Sequence, residues 1–163
     1  MMSTLLSALV LAAPEPLALD VGLAASSNFS PEVFFAQRTG PRLALGLTGL
    51  PLGPVNLGAR VGLQYDFTLH RAFELQAQVH ASRRFGLFEP SLGVGTNVFL
   101  EAGRGAQVFG VLGLSLRPGQ VVDVFLDLAP GVLVDRFGPS PWLMVALGVR
   151  FHLELPRAAH TAP

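Results

Sequence analysis

The stretch WLMVALGVRFHLEL, Trp142 to Leu155, alternates for fourteen residues without a break. Leu143, Val145, Leu147, Val149, Phe151, Leu153 and Leu155 fall on one parity, and Met144, Ala146, Gly148, Arg150, His152 and Glu154 on the other. A period of two places these sets on opposite faces of a β-strand. One face is uniformly apolar and the other is small or charged. Soluble strands rarely run so long, and the two faces suit a wall with lipid on one side and a packed polar interior on the other.

Composition agrees. Half of the 163 residues are hydrophobic, only 13% are charged and the mean hydropathy is +0.50. Soluble domains carry about a quarter charged residues, so this chain lacks the charge to cover a water-facing surface. Beyond the N-terminus there is no run of roughly 18 apolar residues, so no helical span is available. Cysteine is absent, which excludes a disulfide framework, a thiolate metal site and a cysteine nucleophile. Acidic and basic residues balance at a net charge of zero, and every basic residue is arginine. With no basic patch, nothing argues for nucleic acid.

Residues 1–13 read as a secretory signal, with Leu5, Leu6, Ala8, Leu9, Val10 and Leu11 as its apolar core and Leu11-Ala12-Ala13 as the cleavage site. Residues 14–156 are then the barrel and 157–163 a C-terminal tail. Eight alternating segments follow the signal: Leu17–Ala25, Arg42–Leu50, Val55–Leu69, Ala72–Ser82, Pro90–Glu101, Ala106–Leu116, Val121–Ala129 and Trp142–Leu155. The third and fourth segments are the clearest pair. Val55, Leu57, Ala59, Val61, Leu63, Tyr65, Phe67 and Leu69 alternate with Asn56, Gly58, Arg60, Gly62, Gln64, Asp66 and Thr68. Phe99, Phe109 and Val111 are apolar exceptions that fall on the inner parity.

The connections after the second, fourth and sixth segments, Pro51–Pro54, Arg83–Glu89 and Arg117–Gln120, are short. Those at 26–41 and 130–141 are longer and are expected to be loops. Short turns on one side and long loops on the other predict an all-β, eight-stranded antiparallel up-and-down transmembrane barrel with both termini in the periplasm. The soluble alternative is a lipocalin-type barrel, which buries its apolar face and shows charge to water. Here the polar face is mostly Gly, Ala, Ser, Thr, Asn and Gln, which suits a crowded lumen instead. Aromatic girdles are expected from Tyr65, Phe67, Phe73 and Trp142 at one end, and from Phe85, Phe88 and Phe151 at the other.

In architecture the chain resembles the small outer-membrane proteins of the OmpA transmembrane-domain and OmpX type. Gly148-Val149-Arg150-Phe151-His152-Leu153 is also similar to the C-terminal assembly signal of such barrels, although the chain runs on to Pro163. The resemblance implies insertion into the outer membrane, in a family whose members serve as anchors, adhesins, small pores or enzymes.

The inward parity collects Asp20, Arg60, Asp66, Glu74, His80, Asp123, Asp127, Arg150, His152 and Glu154. The expectation is a lumen network of paired charges, with Arg60 and Arg150 serving the acids, because unpaired buried charge is costly. Eight strands leave an interior that side chains just fill. A path for ions or small solutes is the alternative. His80 and Ser82, with Glu74 or Glu89 nearby, resemble the pairing in outer-membrane lipid A deacylases. Parity points them into the lumen, away from lipid, so no catalytic residue is assigned. No cofactor and no metal is expected, since no paired histidines stand at ligand spacing. The expected partners are membrane lipid and an extracellular molecule met through 26–41 and 130–141, the barrel itself being a monomer.

Overall fold

The computed structural model describes residues 16–30, 33–67, 73–100, 105–135 and 137–155. The signal segment and the tail lie outside these residues. Eight strands, β1 (Ala18–Ser30), β2 (Val33–Leu52), β3 (Val55–Tyr65), β4 (Phe73–Ser82), β5 (Phe88–Phe99), β6 (Ala106–Leu116), β7 (Val122–Asp135) and β8 (Gly138–Glu154), pair in sequence order. All pairs are antiparallel, and β8 closes on β1 from Ala18↔Glu154 to Phe29↔Leu143. Closure leaves the wall with no unpaired edge, as a span through lipid requires.

The alternation in sequence becomes a division between outside and inside. Leu43, Leu45, Val61, Leu75, Val79, Val94, Leu126 and Leu147 are all exposed on the outer wall. Between them Arg42, Arg60, Gln64, Glu74, Gln76, Asp123 and Asp127 are buried within it. A soluble barrel would show the reverse, because water rewards polar surface and expels apolar surface. The lipocalin-type alternative is therefore overturned by the facing of the side chains.

At the end that holds Leu17 and Leu155, whose backbones pair at 2.8 Å, the connections are tight. β2 and β3 meet as Leu52↔Val55 across Gly53-Pro54, with Gly53 at a φ of 59°. A positive φ at the first central position is what glycine supplies in a two-residue hairpin. Phe85 and Phe88 exchange backbone hydrogen bonds of 2.7 and 3.1 Å across Gly86-Leu87. Near this end β2 also carries a bulge between Leu47 and Leu50, with Gly49 at a φ of 86°. A β-carbon on Gly49 would fall 2.3 Å from the Pro16 carbonyl oxygen. Gly49→Val is accordingly expected to lower stability by about 2 kcal/mol or more, from strain plus the clash, read by denaturant unfolding in detergent.

The other end departs from expectation. The described residues of 26–30, 33–41, 130–135 and 138–141 are not loops but continuations of strands. β1 and β2 pair to Ser30↔Val33, and β7 and β8 pair to Asp135↔Gly138. Prolines led to the loop reading, and the register shows how those of 130–141 are accommodated. Pro130 sits in a gap of the β6–β7 ladder, which breaks between Phe109↔Gly131 and Leu112↔Leu128. Pro139 and Pro141 lie beyond Leu143, the last β8 residue paired with β1, so they occupy an edge where a missing N–H costs little. The β1–β2 and β7–β8 hairpins thus lie side by side at this end of the barrel. The third strand ends at Tyr65 rather than Leu69, which with Glu101 lies outside the described residues.

Aromatic side chains mark both ends. Tyr65 packs edge-on against Phe67 at 5.2 Å between centroids and tilted against Phe73 at 4.9 Å. Phe85, Phe88 and Phe151 are exposed at the turn end. Trp142 does not join them: it is 6% exposed and points inward with Met144 and Ala146, as its even position in β8 dictates.

Candidate functional site: the polar lumen

Asp20, Arg60, Asp66, Glu74, His80, Asp123, Asp127, Arg150 and His152 are all buried inside the barrel. Glu154 shares their register but stands exposed at the turn end, outside the buried set. The alternation predicted the side on which each residue lies. Which of them meet depends on the stagger between strands.

Near the turn end, β8 threads between β1 and β7, and its side chains bridge both neighbours. His152 Nδ1 lies 2.6 Å from Asp20 Oδ1, and its Nε2 lies 3.1 Å from Asp123 Oδ2. Both ring nitrogens therefore face carboxylate acceptors. Arg150 Nη1 donates to Asp123 Oδ2 at 3.4 Å, and its guanidinium lies 4.6 Å from the centroid of the buried Phe125 ring. Thr48 Oγ1 donates to Asp20 Oδ1 at 3.2 Å. This cluster ties β1, β2, β7 and β8 across the seam where the chain closes on itself.

Arg60 links that cluster to the middle of the lumen. Its Nη2 is 3.9 Å from Asp20 Oδ2 and its Nη1 is 3.9 Å from Asp127 Oδ2. Arg42 Nη2 approaches the same Asp127 oxygen at 3.8 Å. These are ion pairs at distances beyond direct hydrogen bonding. Toward the hairpin end amide and hydroxyl side chains join the network. Glu74 accepts from Asn97 at 2.7 Å and from Asn28 at 3.4 Å, Asn97 reaches Gln107 at 3.3 Å, and Ser26 donates to Gln64. Phe109, Val111, Ala129 and Met144 form a small apolar cluster beside it, so the inner-parity exceptions of β6 are part of the filling.

Glycine provides the room. A β-carbon on Gly58 would sit 2.6 Å from the His80 ring, and one on Gly95 would sit 2.5 Å from the Phe109 ring. His80 and Ser82 are buried in the lumen, at 7% and 5% exposure. Neither faces the outer wall where a lipid substrate would lie.

Three charged members were not among the predicted set. Arg42 is the first residue of the second predicted segment, yet its side chain is among the most deeply buried of the described residues. Glu89 and Arg117 were placed in turns, but they pair at 3.4 Å inside the wall. The available signal was parity: Arg42 continues the even set of β2, and Glu89 the odd set of β5 that holds Ser91 and Gly93.

No protein-family model matches the sequence, and no curated protein does. Solved structures do. Neisserial surface protein A is 9% identical with a TM-score of 0.60, over 85% of this chain and 97% of its own. The fold is that of the small outer-membrane β-barrels. Ail, the attachment invasion locus protein of Yersinia pestis, is 13% identical with a TM-score of 0.53, over 86% of this chain and all of its own. A de novo designed transmembrane β-barrel is also 13% identical, with a TM-score of 0.59, over 85% of this chain and 98% of that one. A similarity shared with a designed protein traces to strand number, alternation and closure rather than to a common motif.

Proposed function

We propose that this chain is an integral outer-membrane protein whose barrel is a non-catalytic anchor for a surface-interaction element. In this reading residues 1–13 direct secretion, both termini face the periplasm, and the β1–β2 and β7–β8 hairpins project outside the cell. The observation that carries the membrane reading is the inverted facing of the wall, apolar outside and charged inside. The β1–β2 and β7–β8 hairpins support the interaction reading, since their ladders run to Ser30↔Val33 and Asp135↔Gly138, beyond the last β1–β8 pair, Phe29↔Leu143. The names of two similar proteins, a surface protein and an attachment protein, fit such a role. The paired charges of the lumen serve as a plug in this reading, because Arg42, Arg60 and Arg150 are buried inside the wall against Asp127, Asp20 and Asp123.

The test is the mobility of membrane-extracted protein in SDS, boiled against unboiled. A faster unboiled form is expected, as a closed, fully hydrogen-bonded sheet resists the detergent. Recovery in the soluble fraction with no mobility shift would overturn the proposal. Large, stable conductance of the reconstituted barrel would replace the plugged lumen with a pore.

A further inference from the structure

At the seam where the barrel closes, His152 of β8 lies between carboxylates of both neighbouring strands. Nδ1 is 2.6 Å from Asp20 Oδ1 of β1, and Nε2 is 3.1 Å from Asp123 Oδ2 of β7. The ring and both carboxylates are buried. Each of those oxygens also accepts from another donor, Asp20 Oδ1 from Thr48 and Asp123 Oδ2 from Arg150. The hydrogens of both imidazole contacts therefore belong to the ring. Only the cationic ring has two N–H donors; the neutral ring keeps one and presents a lone pair from its other nitrogen.

The two contacts are not equivalent. On the β1 side the ladder continues past His152 to Ala18↔Glu154, and Leu155 N–H donates to the Leu17 carbonyl at 2.8 Å. On the β7 side the register ends at Val122↔Phe151, followed by the bond from His152 N–H to the Val121 carbonyl at 2.7 Å. The shorter ladder is thus the one reached by the longer imidazole contact. The other charges around the ring are Arg150 and the exposed Glu154 on β8, Arg60 of β3 against Asp20, and Arg117 after β6, paired with Glu89 of β5. His80 of β4 is buried in the same lumen.

We propose that His152 is a proton-operated latch on the closing seam. Protonated, it ties β8 to β1 and β7 together; deprotonated, it keeps Asp20 and loosens the turn end of β7. The step is the loss of one proton from Nε2 to solvent, while Nδ1 keeps its hydrogen in the shorter contact. A lone pair then faces Asp123 Oδ2 away from water, and two buried acceptors without a hydrogen between them are costly. Asp123 retains Arg150, so β7 frays at this end rather than leaving the sheet. The latch rests on the closed barrel alone and not on the surface-interaction reading.

Magnetic resonance of the nitrogen-labelled full chain in detergent micelles tests it, at about pH 5 and about pH 9, either side of the range in which histidine ordinarily titrates. Both ring nitrogens of His152 should carry hydrogen at the lower pH, and Nδ1 alone at the higher. Hydrogen exchange of the amide at 152 is read relative to the amide at 155 in the same sample, which cancels the common effect of hydroxide. That ratio should rise by about tenfold or more with pH, the effect of losing one hydrogen bond to a charged group. His152→Gln should hold the ratio constant. Asp123→Asn should do so as well, because its amide can donate to the neutral Nε2. A constant ratio in the unmodified chain would overturn the proposal, as would a ring with one hydrogen at the lower pH or an undiminished response in His152→Gln. Each sample is first checked for the fast unboiled form in SDS, and its absence from the unmodified chain would instead be a failure of the barrel reading.

Discussion

Replacing Leu147 by arginine is expected to destabilise the barrel by roughly 2–4 kcal/mol, the cost of a guanidinium facing lipid near the midplane. Leu147 is 58% exposed on the outer wall, near the middle of β8, and pairs with Ala25 on one side and Leu126 on the other. Its neighbour in the chain makes the control. Gly148 faces inward, and a β-carbon there would lie 2.2 Å from the Leu23 carbonyl oxygen and 2.7 Å from Ala24. Gly148→Arg must therefore fail through crowding of backbone, in lipid and in detergent alike. Leu147→Arg fails through desolvation, so it should be relieved when the hydrocarbon is thinned. Urea unfolding in vesicles of long- and short-chain lipids separates the two mechanisms. A Leu147→Arg variant as stable as the unmodified chain in thick bilayers would mean that this face does not meet lipid.

Removing Asp20 should be as damaging for a different reason. Its carboxylate serves His152, Thr48 and Arg60 at once, and the whole group is buried. Asp20→Ala leaves Arg60 and His152 with one acidic partner each, Asp127 and Asp123. Breaking a buried charge pair by deleting one member costs about 3–5 kcal/mol, because the remaining charge is stranded away from water. The attribution is checked by a cycle with Arg60→Met. If the pair is coupled, the double variant should recover about 1–3 kcal/mol relative to the sum of the single losses. Strict additivity would sink the pairing of Arg60 with Asp20. Because the cluster spans the β8–β1 seam, Asp20→Ala should also lower the temperature at which the unboiled form is lost.

Much of this architecture was legible because a barrel wall obeys a local rule. Side chains alternate with a period of two whatever the partner strand, so residues such as Leu143, Leu147 and Arg150 declare their face from their neighbours in the chain alone. The inward apolar exceptions Phe109 and Val111 were legible in the same way. Failures arose where local cues compete with pairing. Proline and polar residues in 26–41 and 130–141 read as loops, but a strand continues as long as its neighbour offers hydrogen bonds, and Pro139 and Pro141 fit an edge. Trp142 was assigned to a girdle by residue type, while its parity already placed it inside. Glu89 and Arg117 were missed because turn boundaries are read less sharply than strand interiors.

By itself, then, the sequence determined the strand number, the two faces and most of the buried charges, Arg42, Glu89 and Arg117 excepted, since each follows from alternation and from the cost of exposing backbone to lipid. Only the tertiary structure decided which charges meet. His152 reaches Asp20 across 132 positions in the chain, and Asp127 is shared by Arg42 and Arg60. Such contacts depend on the stagger between strands and on side-chain reach across a closed lumen.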